Sequence, residues 1–228
     1  MLTTAALVPA AGRGERLGPG EPKALRLLAG EPLLHHAVRT LLAVVDLVVV
    51  AAPADEVKAV RAGLAVLGGQ VLVVPGGSTR QQSVALALQA VPPEVDVVLV
   101  HDAARPLTPV WLVAAVVEAV RGGTAAVVPG LPVADTIKRV DEQEHVVGTL
   151  DRSELRAIQT PQGFARELLV RAHAAAGVDV HTDDAGLVER LGAVVTVIPG
   201  SAEAFKVTHA FDLVLAESLL AARAGRSA

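Results

Sequence analysis

The feature that most constrains this chain is a series of short runs made mostly of Val, Leu, Ile and Ala: Leu2 to Val8, Leu47 to Ala51, Val71 to Val74, Val95 to Val100, Ala125 to Val128 and Val194 to Ile198. Strands with one wet face alternate polar and apolar residues, whereas strands buried on both faces do not. The runs therefore predict a mainly parallel sheet covered by helices on each side. Between them, Leu33 to Val44, Asp55 to Leu67, Arg80 to Ala90, Pro109 to Arg121, Ala165 to Ala175 and Phe211 to Ala222 carry apolar residues at helical spacing. Strands alternating with helices in this way imply a doubly wound α/β fold, here as a single domain over residues 1–228.

One stretch departs from the pattern. Pro132 to Leu150 mixes Asp135, Lys138, Arg139, Asp141, Glu142, Glu144 and His145 with alternating Val and Ile, which reads as a polar β-hairpin arm. A two-stranded arm is marginal by itself in water, and its Val133, Ile137, Val140, Val146 and Val147 need a cover. Exchange of identical arms between two copies of the chain would supply it, so a homodimer is expected.

Composition narrows the function. With 52% hydrophobic and 19% charged residues, the 228-residue chain can bury a large core and is not a disordered tail. Aromatic residues make up only 2%, which argues against surfaces that stack nucleic-acid bases, and a net charge of −4 provides no general field for a polyanion. Any anionic ligand must then be held by a local cluster of Arg and Lys. Cysteine is absent, so thiolate nucleophiles, disulfides and Cys-ligated zinc are excluded together. The first basic residue is Arg13 and no run reaches the roughly 18 uncharged apolar residues of a membrane helix, so a cytoplasmic protein with neither membrane nor nucleic-acid partner is expected.

In open α/β sheets ligands bind beyond the carboxyl ends of the strands, and the loops there carry the chemistry. The first loop, Pro9-Ala-Ala-Gly12-Arg13-Gly14-Glu15-Arg16-Leu17-Gly18 and on to Pro22-Lys23, combines small residues that let backbone N–H groups approach a ligand with three cations, which suits a polyphosphate. It is neither of the standard phosphate motifs: Leu17 stands where a dinucleotide fold places Gly, and Lys23 lies between Pro22 and Ala24 rather than in Gly-Lys-Ser or Gly-Lys-Thr. A second loop, Pro75-Gly76-Gly77-Ser78-Thr79-Arg80-Gln81-Gln82-Ser83, leads into a helix whose first amides favour anions. A third, His101-Asp102-Ala103-Ala104-Arg105-Pro106, offers a carboxylate able to hold Mg²⁺ beside phosphates. The competing structural reading there is an Asp102–Arg105 salt bridge under a buried His101. Further on, His181-Thr182-Asp183-Asp184 reads as a helix start with ordinary capping chemistry. Lys206 sits between apolar neighbours in Phe205-Lys206-Val207-Thr208, where an ammonium group needs an anionic partner such as a bound phosphate.

Taken in order along nearly the whole chain, Pro9-Ala-Ala-Gly-x-Gly-x-Arg16, Pro22-Lys23, Gly76-Gly77 with Arg80 and Ser83, Val100-His-Asp-Ala-Ala-Arg-Pro106, Thr160-Pro-Gln162 and Lys206-Val-Thr208 resemble the 2-C-methyl-D-erythritol 4-phosphate cytidylyltransferases. The opening loop is shared by many nucleotidyltransferases; the His-Asp-Ala-Ala-Arg-Pro block followed by an arm and Lys-Val-Thr is far more specific. The resemblance implies a Rossmann-like nucleotidyltransferase domain acting on CTP and methylerythritol phosphate, with Mg²⁺ as cofactor. Arg16 and Lys23 would stabilise the transition state on the triphosphate, and Ala10, Ala11, Gly12, Gly77, Arg80 and Ser83 would form the nucleotide site. Asp102 would help hold Mg²⁺. Arg152 and Lys206 would position the acceptor, with Arg105, Thr136 and Thr160 nearby, and in the dimer Thr136 and Arg152 would serve the neighbouring subunit's site. One position departs from the family pattern, since Glu203 stands where Asp is expected.

The chemistry agrees with the inventory. A phosphate monoester with second pKa about 6 is already a dianion at neutral pH, so no general base is needed. Its attack on the α-phosphorus of CTP requires cations and a metal to offset like charges. Two rivals use the same residues. One is a cytidylyltransferase for another polyol phosphate such as ribitol 5-phosphate, distinguished by acceptor turnover; the other is a non-catalytic nucleotide sensor, which would release no pyrophosphate.

Overall fold

The computed structural model describes residues 3–12, 22–177 and 182–226. Its strands are β1 (Thr4–Pro9), β2 (Leu27–Leu28), β3 (Glu31–Pro32), β4 (Leu47–Ala52), β5 (Val71–Pro75), β6 (Val97–Val100), β7 (Ala126–Pro132), β8 (Lys138–Val140), β9 (Val146–Thr149), β10 (Arg156–Ile158), β11 (Gln162–Ala165) and β12 (Thr196–Pro199). Its helices are α1 (Leu33–Leu42), α2 (Val57–Leu64), α3 (Arg80–Gln89), α4 (Val110–Arg121), α5 (Arg166–Ala175), α6 (Asp184–Arg190) and α7 (Ala210–Arg226). Eight strands form the central sheet in the order β10-β7-β11-β6-β1-β4-β5, with β12 added in parallel to β7.

The expected parallel core is present: β6, β1, β4 and β5 run together, with Leu7 opposite both Val49 and Val100. Successive residues of β1 enter opposite cores, as a strand buried on both faces must. Ala6 and Val8 pack with Leu34, Val38 and Leu41 of α1 and with Val113, Val116 and Val117 of α4. Ala5 and Leu7 pack with Val84 and Leu88 of α3 and Leu169 of α5, around Phe164. Because β1, β4, β5 and β6 end at one level, the loops that follow them converge on one edge of the sheet.

Three expectations need correction. Gln162–Ala165 is a strand that the apolar pattern did not mark, inserted antiparallel between β6 and β7. Gln162 and Gly163 interrupt the run there, yet Gly163 is needed because any Cβ would collide with the Val116 side chain of α4. The Val71 run is not covered on both faces: β5 closes the sheet, and Leu72 is 44% exposed. Near the other edge, the run expected from Val194 becomes a strand only at Thr196, with Val194 outside it and 79% exposed.

The arm is a separate two-stranded sheet, β8 against β9, with a register shift between Arg139 and Val140. Its Val140, Val146 and Val147 are exposed. Helix α7 packs Ala216 against Leu28, Leu33, Leu107 and Val207, which fastens the Lys206 segment to the body. No helix among the described residues is long and apolar enough to cross a membrane.

Candidate active site

The converging loops enclose a cleft lined by Ala10, Ala11, Gly12, Lys23, Gly77, Arg80, Ser83, Asp102 and Lys206, all singled out from the sequence. Arg16 lies outside the described residues. The first wall starts where the Ala10 N–H donates to the Ala51 carbonyl at 2.8 Å. Across from it, the Gly76–Ser83 loop is tied to itself. Thr79 caps α3 by accepting from the Gln82 N–H at 3.1 Å. The Ser83 hydroxyl accepts from the Gly77 N–H at 3.1 Å and donates to the Thr79 carbonyl at 2.9 Å. A side chain at Gly77 would strike Gln82, so glycine keeps the backbone open to a ligand here. Lys23 begins a single 3₁₀ turn after Pro22 and lies near Asp212.

Asp102 is the electrostatic centre. One oxygen accepts from Arg80 Nε at 3.3 Å and the other from Lys206 Nζ at 2.6 Å. Burial would push this carboxyl up, but Arg80 and Lys206 outweigh it and hold it well below the ordinary range. Lys206 therefore has its anionic partner inside the protein, a carboxylate where the sequence suggested a phosphate, and its side chain is 40% exposed toward the cleft. It is brought there by the Val207 N–H, which donates to the Ala104 carbonyl at 2.8 Å. The Asp102–Arg105 ion pair of the competing structural reading is not formed: Arg105 donates to the carbonyls of Ala204 at 2.6 Å and Ile158 at 3.3 Å. Glu203 pairs with Arg223 of α7.

His101 is fully buried, as that competing reading has it, and is linked to Asp102 through Thr160. Thr160, which precedes a cis peptide to Pro161, accepts the Asp102 N–H on its hydroxyl at 3.0 Å and lies 3.1 Å from His101 Nδ1. With Nε2 facing the Arg105 carbonyl at 3.3 Å, a neutral imidazole protonated on Nε2 satisfies all of these groups. Thr160 thus reaches the site by holding Asp102, not by presenting its hydroxyl to the cleft. Arg152 and Thr136 do not line the cleft; both are exposed beside the arm, where Arg152 donates to the Ala134 carbonyl.

Burial pushes the His101 imidazole down to about 4 from 6.5. The unfolded chain then takes up this proton first, so the contribution of His101 to stability is full above pH 6.5, is lost as the pH drops toward 4, and is constant below that. The loss should reach roughly 3 kcal/mol. Urea midpoints at about pH 7 and about pH 4.5 should show the wild type losing stability and His101→Gln losing much less; equal losses would place the effect elsewhere.

Sequence reasoning missed the partners behind Arg80. Its Nη1 donates to Asp184 at 2.7 Å, and Asp184 also accepts from His173 Nε2 at 3.0 Å. The capping expectation holds for Asp183, which accepts from the Gly186 N–H at 3.1 Å. Two adjacent acids at a helix start were the available signal, since only one of them can be the cap.

The description "IspD: 2-C-methyl-D-erythritol 4-phosphate cytidylyltransferase" fits the chain as a family model over residues 4–222. The chain belongs to that family. Cytidylyltransferases of this name from Saccharopolyspora erythraea and Streptomyces avermitilis are 60% and 59% identical to it, each over 96% of this chain and over 100% and 92% of their own lengths. Among solved structures, the Thermus thermophilus cytidylyltransferase is 40% identical, with TM-score 0.79 over 96% of this chain and 98% of its own. The 4-diphosphocytidyl-2C-methyl-D-erythritol synthase of Anaerococcus prevotii, at 27% identity, has TM-score 0.83 over 96% and 98%. The Rossmann-like nucleotidyltransferase fold expected from the sequence is therefore that of a cytidylyltransferase.

The donor set can be tested for Mg²⁺. Among the described residues no three His, Asp or Glu side chains form a metal cluster. Asp102 offers one ionised carboxylate in the cleft, and Mg²⁺ is commonly held by one or two carboxylates together with substrate phosphates. The site fits that arrangement.

Proposed function

We propose that this cleft carries out the family's reaction: transfer of CMP from CTP to 2-C-methyl-D-erythritol 4-phosphate, giving 4-CDP-2-C-methyl-D-erythritol and pyrophosphate in isoprenoid precursor synthesis. The observation that carries the reading is the convergence of Lys23, Arg80 and Lys206 on one cleft, with Arg80 and Lys206 bonded to the Asp102 carboxylate. CTP lies with its base and ribose against Ala10, Ala11, Gly12, Gly77 and the Ser83 loop. Lys23 faces the triphosphate, a role that the family motif also assigns to Arg16. Asp102 would hold Mg²⁺, which would supply positive charge to offset that of the triphosphate oxygens. Lys206, with Arg105 and Thr160 behind it, faces the acceptor phosphate. That phosphate oxygen forms a bond to the α-phosphorus as the bond to the β-phosphate oxygen breaks, and pyrophosphate leaves with the electron pair. The enzyme acts as a homodimer in which the arm brings Thr136 and Arg152 to the partner's acceptor site. Both substrates are charged small molecules, and we place the reaction in the cytoplasm.

A pyrophosphate-release screen over nucleotides and acceptors tests the reading. CTP with methylerythritol phosphate should turn over fastest. Faster turnover with ribitol 5-phosphate would favour the rival acceptor, and binding of CTP without pyrophosphate release from any pair would favour a sensor. A further expected outcome concerns Asp102→Asn, which keeps the shape but loses the charge that binds a hard cation. It should raise the Mg²⁺ concentration giving half-maximal activity about tenfold or more; an unchanged Mg²⁺ titration would remove Asp102 from metal binding.

A further inference from the structure

Arg80 is held between two carboxylates of different kinds. Asp102 belongs to the cleft, is partly exposed, and is shared with Lys206. Asp184 lies behind it at the start of α6; its side chain is 1% exposed and does not line the cleft. No ligand in the cleft can reach Asp184, whereas a cation entering the cleft competes for Asp102 and a phosphate competes with Asp102 for Arg80 and Lys206. His173 of α5, itself 6% exposed, holds the other Asp184 oxygen. Burial would push the Asp184 carboxyl up, but His173 and Arg80 hold it down, so it stays an acceptor for both. Gln162 locks the same helix start, donating from Nε2 to Asp183 at 2.7 Å and accepting the Ala185 N–H at 3.1 Å.

We propose that Asp184, oriented by His173, is a positioning residue that keeps the Arg80 guanidinium in the cleft when Asp102 turns to a ligand. The proposal rests on reading the cleft as the CTP site. An arginine at the first turn of a helix has many rotamers, and one partner that ligands compete for cannot select among them. A second partner out of ligand reach can. At metal centres, loss of the outer partner of a ligand typically lowers affinity or activity about 10–100-fold, and a loss of that order is expected for the outer partner of Arg80.

The test compares Asp184→Asn, Arg80→Met and their double variant, with His173→Phe and His173→Gln. Each is measured for kcat/KM with CTP and methylerythritol phosphate, for urea midpoint, and for the ¹⁵N NMR signal of the Arg80 side-chain Nε–H, assigned by its absence in Arg80→Met. Asp184→Asn should lower kcat/KM about 10–100-fold and broaden or shift the Arg80 signal in the ligand-free protein. In the Arg80→Met background it should lower kcat/KM no further. His173→Gln, which keeps an N–H donor, should retain more activity than His173→Phe. An Arg80 signal unchanged by Asp184→Asn, or losses that multiply in the double variant, would overturn the proposal. If Asp184→Asn does not fold, His173→Phe carries the same readouts. Failure of the wild type to transfer CMP would sink the catalytic reading alone, because the NMR comparison needs no substrate.

Discussion

Lys23→Ala should lower kcat by about 10²–10³ while weakening CTP binding much less. The reason lies in where charge develops. In the ground state the triphosphate charge is already spread over its oxygens, and several cations share it. As the bond to the leaving group breaks, negative charge grows on the pyrophosphate, and a preorganised ammonium there acts more strongly on the transition state than on bound CTP. Lys23 stands in the cleft wall on a short 3₁₀ turn directly after Pro22, so its backbone is set before the ligand arrives. Steady-state kinetics with a separate CTP titration separates the two effects. Turnover within a few-fold of wild type would remove Lys23 from the reacting site, whereas equal losses in binding and turnover would make it a ground-state contact.

Mixed dimers should regain activity that neither parent possesses. Arg152 and Thr136 are exposed beside the arm and do not line the cleft of their own chain, and Val140, Val146 and Val147 on that arm are uncovered. If the arm completes the partner's acceptor site, then Lys23→Ala and Arg152→Ala damage one site from opposite subunits. In a mixed dimer both lesions fall in one site and the other site is intact. Random exchange makes about half of the dimers mixed, so activity should recover to about one quarter of wild type. Each variant alone should remain nearly inactive. Sedimentation as a monomer, or mixed dimers verified by mass without recovery, would defeat the shared site.

The two halves of the fold were not equally legible. The runs at the sheet centre were plain because a strand buried on both faces leaves a continuous apolar signature, as at Leu47 to Ala52. β11 was hidden because its buried Gln162 and Gly163 serve other ends: Gln162 locks the start of α6, and Gly163 makes room for Val116. The cleft residues were visible as loops after strands, and the family motifs named most of them. What they bond to was not visible. Arg80 meets Asp102 at a separation of 22 residues and Asp184 at 104, distances over which no periodic pattern carries information.

The sequence by itself determined the parallel sheet, its helical cover, the edge where the loops gather, and the need for an anion beside Lys206. These follow from local hydrophobic period and from the desolvation of a charge, both of which act residue by residue. Only the tertiary structure decided that this anion is Asp102, that Arg105 turns to backbone carbonyls, and that Asp184 and His173 stand behind Arg80. An ion pair depends on angstrom-scale approach between chain segments, and that approach is set by the packing of α5, α6 and the Lys206 segment around the sheet.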